Sequence, residues 1–447
     1  MINLQKNQYI LCTKYIYCDT IFIKIRGIEV NKKLVWMQPI WKTNKKRWKN
    51  SLHNICSYLA MFPPALPHYF IKQFTNPGEV VFDPFSGRGT TVLEACLNNR
   101  IGIGSDLNPL AVVLTGAKTN VPSYEVIVER ILELERKYEP PETYAVPEDI
   151  KMLYDEKITL PMLVYLKEHL SMANEVDRFI MAALMGIMHG KHRKDGSSIY
   201  LSISMPNTFS MSPNYVRNYI NNNSLVKLEQ NVFDALKNRI QSIYPFGSKL
   251  TNGQVYLEDA LEISRDEKLI KSESIDLIVT SPPYLKLIKY GKYNWIRLWL
   301  LGEKSENIDK QLKLDKAYKD SQEISLSDNL KLDEYLEFMR KLIVGWERIL
   351  KKGSLAVLVI GDVDNYNGEY LNLAERVWEY VKDYTSLELV TIIKDDIEGN
   401  SKVTKIWGHD RKGAATKADK LLIISKGVPR KPHYTRNIKK KFEYLYQ

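Results

Sequence analysis

Short apolar runs alternate with longer amphipathic stretches along most of the chain, and this alternation predicts strands and helices in turn. Strands that alternate with helices form mostly parallel sheets. We therefore predict an α/β fold with a Rossmann-like, doubly wound, mostly parallel sheet. The predicted strands cover residues 80–82, 101–105, 254–257, 275–279, 355–360 and 421–424.

A large insertion separates the second predicted strand from the third. The inserted residues, 121–250, number about 130, which is more than one crossover helix needs. Helical periodicity at 126–138 and 177–190 indicates that the inserted region is largely helical. The chain is thus predicted to comprise a basic N-terminal extension (1–49), a cofactor-binding half (50–120), an inserted module that is the candidate target-recognition region (121–250), a catalytic half (251–427) and a basic C-terminal tail (428–447).

Composition is that of a globular protein, with 44% hydrophobic and 26% charged residues in 447. No apolar run reaches membrane-spanning length. Lys6, Lys14 and Asp19 interrupt the apolar N-terminal segment, which therefore fits neither a signal peptide nor an anchor. A cytoplasmic protein is expected.

The four cysteines are expected to be reduced and structural, because no CxxC pair or zinc-ligand spacing occurs. His189 and His192 lie in a Lys/Arg-rich stretch without nearby carboxylate or thiolate partners, so no metal site is predicted.

The net charge of +11, from 64 Lys and Arg against 53 Asp and Glu, favours a polyanionic partner. Basic residues mix with aromatic ones at 42–49 and 430–446, and aromatic rings can stack on unpaired bases. A third basic cluster lies in the insertion, and we predict that its side chains bind DNA, although a solvated basic surface is the alternative for each cluster. Its members are Lys191, His192, Arg193 and Lys194.

A glycine-rich loop with the sequence DPFSGRGTT follows the first predicted strand and precedes a helix. Glycines permit close backbone approach, and the helix N-terminus presents amides to a polar or anionic ligand. Asp106 follows Gly87 by 19 positions, close to the offset at which an acidic residue meets ribose hydroxyls. The spacing predicts a nucleoside cofactor. Asp259, after the third strand, is placed to accept from an adenine amino group, with a helix N-cap as its alternative role.

The sequence TSPPY ends the fourth predicted strand. Prolines fix φ and remove amide donors, so Pro282 and Pro283 must leave the sheet as a stiff turn that holds its neighbours in place.

These residues resemble the amino-methylating DNA methyltransferases that use S-adenosylmethionine. VFDPFSGRGTT is similar to the family's cofactor motif, GIGSDLNPLAV to its ribose-binding strand end, and IDLIVTSPPY to its catalytic motif. The FPPALP segment at 62–67 resembles the one around the methionine end of the cofactor. The resemblance implies that the cofactor is bound by Phe62, Pro63, Asp83, Phe85, Gly87, Gly89, Thr90, Asp106 and Asp259.

The resemblance also implies the chemistry of the TSPPY loop. Serine in its first position is typical of cytosine-N4 enzymes, whereas Asp or Asn is usual in adenine-N6 enzymes. Ser281 and a carbonyl near Pro282 would orient the amine of a cytosine flipped from duplex DNA, and Tyr284 would stack on the base. Cytosine-C5 chemistry is not expected, because no cysteine follows a proline.

Several alternatives stay open at this point. They are adenine-N6 methylation, RNA base methylation, a non-enzymatic nucleic-acid-binding module and a dehydrogenase that uses NAD through the same strand, loop and helix. A companion restriction endonuclease is the expected partner besides double-stranded DNA.

Overall fold

The computed structural model describes most of the chain from residue 50 to residue 433. The described residues are 50–58, 63–190, 198–205, 212–223, 225–283, 285, 290–302, 332–366, 369–396 and 418–433, with the backbones of two earlier strands.

Eleven β-strands lie within these residues. β1 (Ile21–Ile25) pairs antiparallel with β2 (Ile28–Lys32), and β8 (Val363–Tyr366) pairs antiparallel with β9 (Glu369–Leu371). The remaining strands form one sheet: β3 (Val80–Asp83), β4 (Ile101–Asp106), β5 (Gln254–Leu257), β6 (Ile275–Thr280), β7 (Leu350–Gly361), β10 (Glu388–Asp396) and β11 (Ala418–Ser425).

The seven-stranded sheet has the order β5-β4-β3-β6-β7-β11-β10. All neighbours from β5 to β7 are parallel, and β11 runs antiparallel to β7 and β10. The predicted mostly parallel α/β sheet is thus confirmed. From β3 the chain first adds β4 and β5 on one side and then returns to β6 on the other. The boundary between β3 and β6 is therefore the topological switch point, where open α/β sheets bind ligands.

Thirteen α-helices lie in the described part of the chain. They are α1 (Ala65–Phe74), α2 (Thr90–Leu97), α3 (Pro109–Thr119), α4 (Tyr124–Arg136), α5 (Glu148–Lys151), α6 (Thr159–His169), α7 (Glu175–Met188), α8 (Pro213–Asn222), α9 (Val232–Ile243), α10 (Ala260–Ile263), α11 (Tyr290–Leu300), α12 (Leu332–Ile349) and α13 (Leu373–Val381). None of the described helices combines the length and apolar character needed to cross a membrane.

The sheet is covered on both faces, because successive residues of a strand point to opposite sides. Val81 and Leu277 pack with Phe70 of α1 on one face. Phe82 packs in the cluster of Trp346 of α12 on the other. Full burial on both faces explains why these strands read as continuous apolar runs in the sequence.

Helices α4 to α9 all fall between α3 and β5, where the sequence predicts the insertion. They share one apolar core with the cofactor-binding half and with α11. Leu110 of α3, Ile131 of α4, Leu184 of α7, Leu236 of α9 and Trp295 of α11 belong to that core.

An ion-pair cluster closes the amino-terminal edge of the sheet. Asp276, only 1% exposed, accepts from Lys351 Nζ at 2.7 Å and from Arg430 Nη2 at 3.1 Å. Arg430 Nη1 also lies 2.8 Å from an oxygen of Glu79. Residue 430 of the basic tail thus lies at the edge opposite the carboxyl ends of the parallel strands.

The sequence patterns predict no strand at β10. Its residues ELVTIIKDD contain only a short apolar centre, and as an edge strand it is half-buried. Its weaker hydrophobic signal follows from that position.

Candidate active site

The carboxyl ends of four neighbouring strands bring the candidate residues to one edge of the sheet. β3 ends at Asp83, β4 ends at Asp106 and β6 ends at Thr280, directly before Ser281. β5 ends two residues before Asp259. The predicted cofactor and catalytic motifs therefore meet at the switch point between β3 and β6.

Asp83 connects the two motifs. Its Oδ1 accepts from the Thr280 hydroxyl at 2.6 Å and from the Phe85 N–H at 3.2 Å. Thr91 Oγ1 also donates to the Val279 carbonyl at 3.1 Å. Asp83 is 1% exposed, and burial raises its pKa to about 7 despite the hydrogen bonds, which act in the opposite direction. The first residue of the glycine loop is thus fixed to the end of the catalytic strand.

Gly87 and Gly89 have the left-handed backbone that the loop requires, with φ of 51° and 77°. A Cβ on Gly89 would lie 2.7 Å from Thr115 Oγ1 and 2.9 Å from the Thr115 Cα, so α3 leaves no room for a side chain. Gly89 is also the N-cap of α2, which begins at the buried Thr90. The loop therefore leaves a space beside its backbone that a side chain would occupy.

Asp106 presents a carboxylate beside this loop. Its Oδ2 accepts from the Gly87 N–H at 2.8 Å and its Oδ1 from the Asn108 N–H at 2.9 Å. Removal of water from the carboxylate raises the pKa of the half-buried Asp106 to about 6, although the backbone hydrogen bonds lower it. A half-buried acceptor with oriented oxygens fits the hydroxyls of a ribose.

A buried lysine supports the loop from beneath. Lys118 Nζ donates to the Arg88 carbonyl, and burial lowers the pKa of Lys118 well below its usual value. Burial also lowers the pKa of Arg88, to about 10. These groups hold the backbone between the two glycines.

Asp259 caps α10. Its Oδ1 accepts from the Leu261 N–H at 2.8 Å and more weakly from the Glu262 N–H at 3.4 Å. The N-cap that the sequence offered as an alternative is therefore formed by this oxygen. Contact with an adenine amino group stays a prediction.

The TSPPY loop, predicted to be catalytic, leaves β6 next to β7. Ser281 Oγ donates to the Val359 carbonyl at 3.3 Å. Pro282 is buried and Pro283 is half-buried, as expected for a turn held against the sheet.

Seven further predicted site residues remain, and six of them lie outside the described part of the chain. Pro63 is exposed, just before α1. The residues that lie outside the described ones are Phe62, Tyr284, Lys191, His192, Arg193 and Lys194. Their roles toward cofactor, base and DNA stay predictions.

Residues that shape the site but are absent from the predicted cofactor and catalytic residues include Tyr58, Asn108, Lys118 and Thr280. Asn108 Oδ1 accepts from the Leu110 N–H at 3.0 Å and caps α3. The Asn-Pro pair at the helix start is a readable signal for that cap. Tyr58 gives no such signal, because its place depends on long-range packing.

Among the described residues, no group of three or more His, Cys, Asp or Glu side chains is arranged to hold a metal ion. His189, which directly follows α7, is buried, and its Nδ1 lies 3.0 Å from the Gly190 carbonyl oxygen.

Comparison with known proteins adds a family match. The family model described as DNA methylase, of the N6 and N4 type, matches residues 7–115 and 275–446. The two matched parts contain the glycine loop, Asp106 and the TSPPY loop, and the unmatched residues between them, 116–274, contain the whole insertion.

Individual relatives match in shorter regions. The type II methyltransferase M.BsoBI of Geobacillus stearothermophilus is 24% identical over an alignment of 307 residues that covers 62% of this chain and 57% of that protein. The orphan methyltransferase M.BamHII of Bacillus amyloliquefaciens is 40% identical over 70 residues, 15% of this chain and 26% of that protein. The chain thus spans little more than half of one relative and about a quarter of the other.

Among solved structures, the rRNA methyltransferase aviRa of Streptomyces viridochromogenes covers 85% of this chain and 94% of its own, with 9% identity and a TM-score of 0.31. Those values are too low to support a functional comparison.

Proposed function

The chain belongs to the N6/N4 DNA methylase family, and from that premise we propose that it transfers a methyl group from S-adenosyl-L-methionine to the exocyclic N4 amine of a cytosine in duplex DNA. The observation that carries the choice of cytosine is Ser281 at the first position of the SPPY loop, beside the glycine loop.

S-adenosyl-L-methionine is the cofactor of this family, and when bound it supplies an electrophilic methyl group. Residues of the glycine loop, from Asp83 to Thr90, would hold it together with Asp106. They fit because the loop is free of side chains at Gly87 and Gly89 and because Asp106 offers oriented acceptor oxygens.

The chain's residues must orient a weak nucleophile. The lone pair of a cytosine amine is delocalised into the ring, so transfer requires acceptors that favour rehybridisation of the nitrogen. The Ser281 oxygen and a carbonyl near Pro282 are such acceptors, and the two prolines fix their direction. Both protons of the amine can then be held while the nitrogen lone pair points toward the methyl group.

The target base must leave the duplex before it can reach this loop. Tyr284 is proposed to stack on the flipped base, since base stacking on an aromatic side chain contributes about 1–3 kcal/mol.

The charge distribution suggests which segments hold phosphates. Residues 1–49 contain 11 Lys and Arg against 2 Asp and Glu, and residues 428–447 contain 6 against 1. The insertion at 121–250 contains 15 against 16. We propose that the basic termini supply most of the non-specific affinity and that the insertion contributes target recognition, with Lys191, Arg193 and Lys194 as its own phosphate contacts.

Helix α8 supports a recognition role for the insertion. It buries only Val216 and exposes Asn214, Arg217 and Asn218, which are side chains of the types that read base edges. Arg217 is held by an ion pair with Asp149. Asn218→Ala should relax sequence preference, whereas neutralising the three basic residues should weaken binding to all sequences and flatten its salt dependence.

Adenine-N6 methylation and RNA methylation are the alternatives. One experiment separates them: incubation with tritiated S-adenosylmethionine and duplex DNA or RNA, followed by digestion to nucleosides. N4-methylcytosine in DNA supports the proposal. N6-methyladenine would overturn the argument from Ser281, and labelled RNA alone would overturn the DNA substrate.

A restriction endonuclease of the same sequence specificity is the proposed companion of this protein.

A further inference from the structure

Tyr58 lies across the two loops that form the candidate cofactor site. Its ring atom Cε1 is 3.5 Å from the position that a Cβ on Gly87 would take. Its hydroxyl accepts from Asn108 Nδ2 at 3.4 Å. The side chain is 8% exposed. One aromatic ring thus packs on the glycine loop and reaches the loop after β4.

The two residues that Tyr58 touches are the ones that orient Asp106. The Gly87 N–H and the Asn108 N–H donate to different oxygens of that carboxylate, at 2.8 Å and 2.9 Å. A displacement of Tyr58 would therefore loosen both sides of the proposed ribose acceptor.

A buried arginine holds the residue before Tyr58. Arg297 is 1% exposed, and its Nη2 donates to Ser57 Oγ at 2.9 Å. Its Nε donates to the Met185 carbonyl at 3.2 Å, and its Nη1 donates to Asn294 Oδ1 at 2.9 Å. Burial of a guanidinium is costly unless its donors are satisfied, so these partners fix its position.

Arg297 connects three parts of the fold. It lies on α11, which follows the catalytic loop, and it contacts α7 of the insertion and the segment at 50–58. One side chain therefore links α11, helix α7 of the insertion and the segment that carries Tyr58.

Further contacts keep the 50–58 segment in place. Arg239 Nη2 of α9 donates to the Ile55 carbonyl at 3.0 Å. Glu94 of α2 lies 2.7 Å from His53 Nε2 and 2.8 Å from His68 Nδ1, so it joins this segment to α1. The segment enters the site with little freedom to move.

We propose that Tyr58 forms a wall of the cofactor cleft and that Arg297 is a positioning residue that holds this wall through Ser57. The inference rests on the proposed use of S-adenosylmethionine. It assigns the insertion a second role, because α7 and α9 brace the cofactor site whereas α8 carries the proposed recognition residues.

The test is calorimetric titration of purified full-length variants with S-adenosylmethionine. Tyr58→Leu should raise Kd about tenfold, because the aromatic surface and the hydroxyl are both lost. Tyr58→Phe keeps the ring and should raise Kd only about twofold. Ser57→Ala removes the link to Arg297 and should raise Kd and KM for the cofactor about threefold, with kcat at saturating cofactor nearly unchanged.

Tyr144→Leu is the matched control, since this half-buried tyrosine donates to the Glu156 carbonyl within the insertion, away from the glycine loop. Its cofactor affinity should equal that of the unaltered protein. Arg297→Lys should weaken cofactor binding if it folds, and Ser57→Ala tests the same link without a buried charge change.

The outcomes separate the two proposals. An unaltered protein that binds no S-adenosylmethionine overturns both the function and the inference. Normal binding by the unaltered protein together with an unchanged Kd in folded Tyr58→Leu overturns the role of Tyr58 alone. Normal Kd in Ser57→Ala, with Tyr58→Leu impaired, overturns the positioning role of Arg297.

Discussion

The hydroxyl of Thr280 donates to Oδ1 of Asp83 at 2.6 Å, and this bond joins the last residue of the catalytic strand to the first residue of the glycine loop. β3 and β6 are neighbours at the switch point, so the bond fixes the end of the glycine loop relative to the start of the TSPPY loop. The two reacting groups could not keep a productive geometry if these loops moved independently.

Thr280→Val should destabilise the fold by about 1–3 kcal/mol, because it leaves the buried Asp83 carboxyl without its strongest donor. Thr280→Ser keeps the hydroxyl and should therefore retain most of the stability that Thr280→Val loses. Urea unfolding of the two variants and the unaltered protein measures the difference. Equal stabilities for the Thr280→Val variant and the unaltered protein would show that the bond contributes nothing to the fold.

The two loop glycines should respond differently to alanine. Gly89→Ala combines a left-handed φ with a Cβ 2.9 Å from the Thr115 Cα, so it should cost about 2–4 kcal/mol of stability. Gly87→Ala meets only ordinary contact with the Tyr58 ring and should cost about 1 kcal/mol. Thermal unfolding compares them, and a Gly87→Ala protein less stable than Gly89→Ala would contradict the packing argument.

Much of this edge of the sheet was predictable from local patterns. The glycine loop, the acidic strand end at Asp106 and the proline turn are each signalled by a few consecutive residues. Confirmed strands such as β3 and β6 have continuous apolar runs because both of their faces are buried.

Other features depend on contacts between distant residues and have no local signal. Tyr58 reaches Gly87 and Asn108 across 29 and 50 positions, and Arg297 reaches Ser57 across 240. β10 is an edge strand with one weakly apolar run. The sequence pattern distinguishes a motif from an ordinary loop. It does not show which distant side chain packs on that motif.

Cofactor affinity should depend on pH through Asp106. Ribose hydroxyls donate to the ionised carboxylate, so binding favours the deprotonated form. The pKa of Asp106 is about 6 in the protein without cofactor. The Kd for the cofactor should therefore be independent of pH above pH 7 and should approach a tenfold increase for each pH unit below pH 6. Calorimetry between pH 5 and pH 8 measures this profile.

Asp106→Asn is the control for that profile. It removes the Asp106 carboxylate and should bind S-adenosylmethionine more weakly by about 1.5–3 kcal/mol, and the tenfold rise of Kd for each pH unit below 6 should disappear. A wild-type profile that stays level down to pH 5 would show that the carboxylate does not contact the cofactor.

Ser281→Ala should lower turnover far more than it weakens binding. The Ser281 hydroxyl donates to the Val359 carbonyl at 3.3 Å, and the proposed acceptor role of its oxygen would matter most while the amine nitrogen rehybridises. We expect kcat to fall by about tenfold to a hundredfold, with Kd for DNA and for cofactor changed less than about twofold. Single-turnover methylation and separate binding titrations measure the two effects.

Ser264→Ala is the control for this prediction. The Ser264 hydroxyl donates to the Ala260 carbonyl of α10 at 3.0 Å, so its removal should leave kcat unchanged. A Ser281→Ala protein with normal kcat would remove the hydroxyl from the reaction and leave the loop carbonyls to orient the amine.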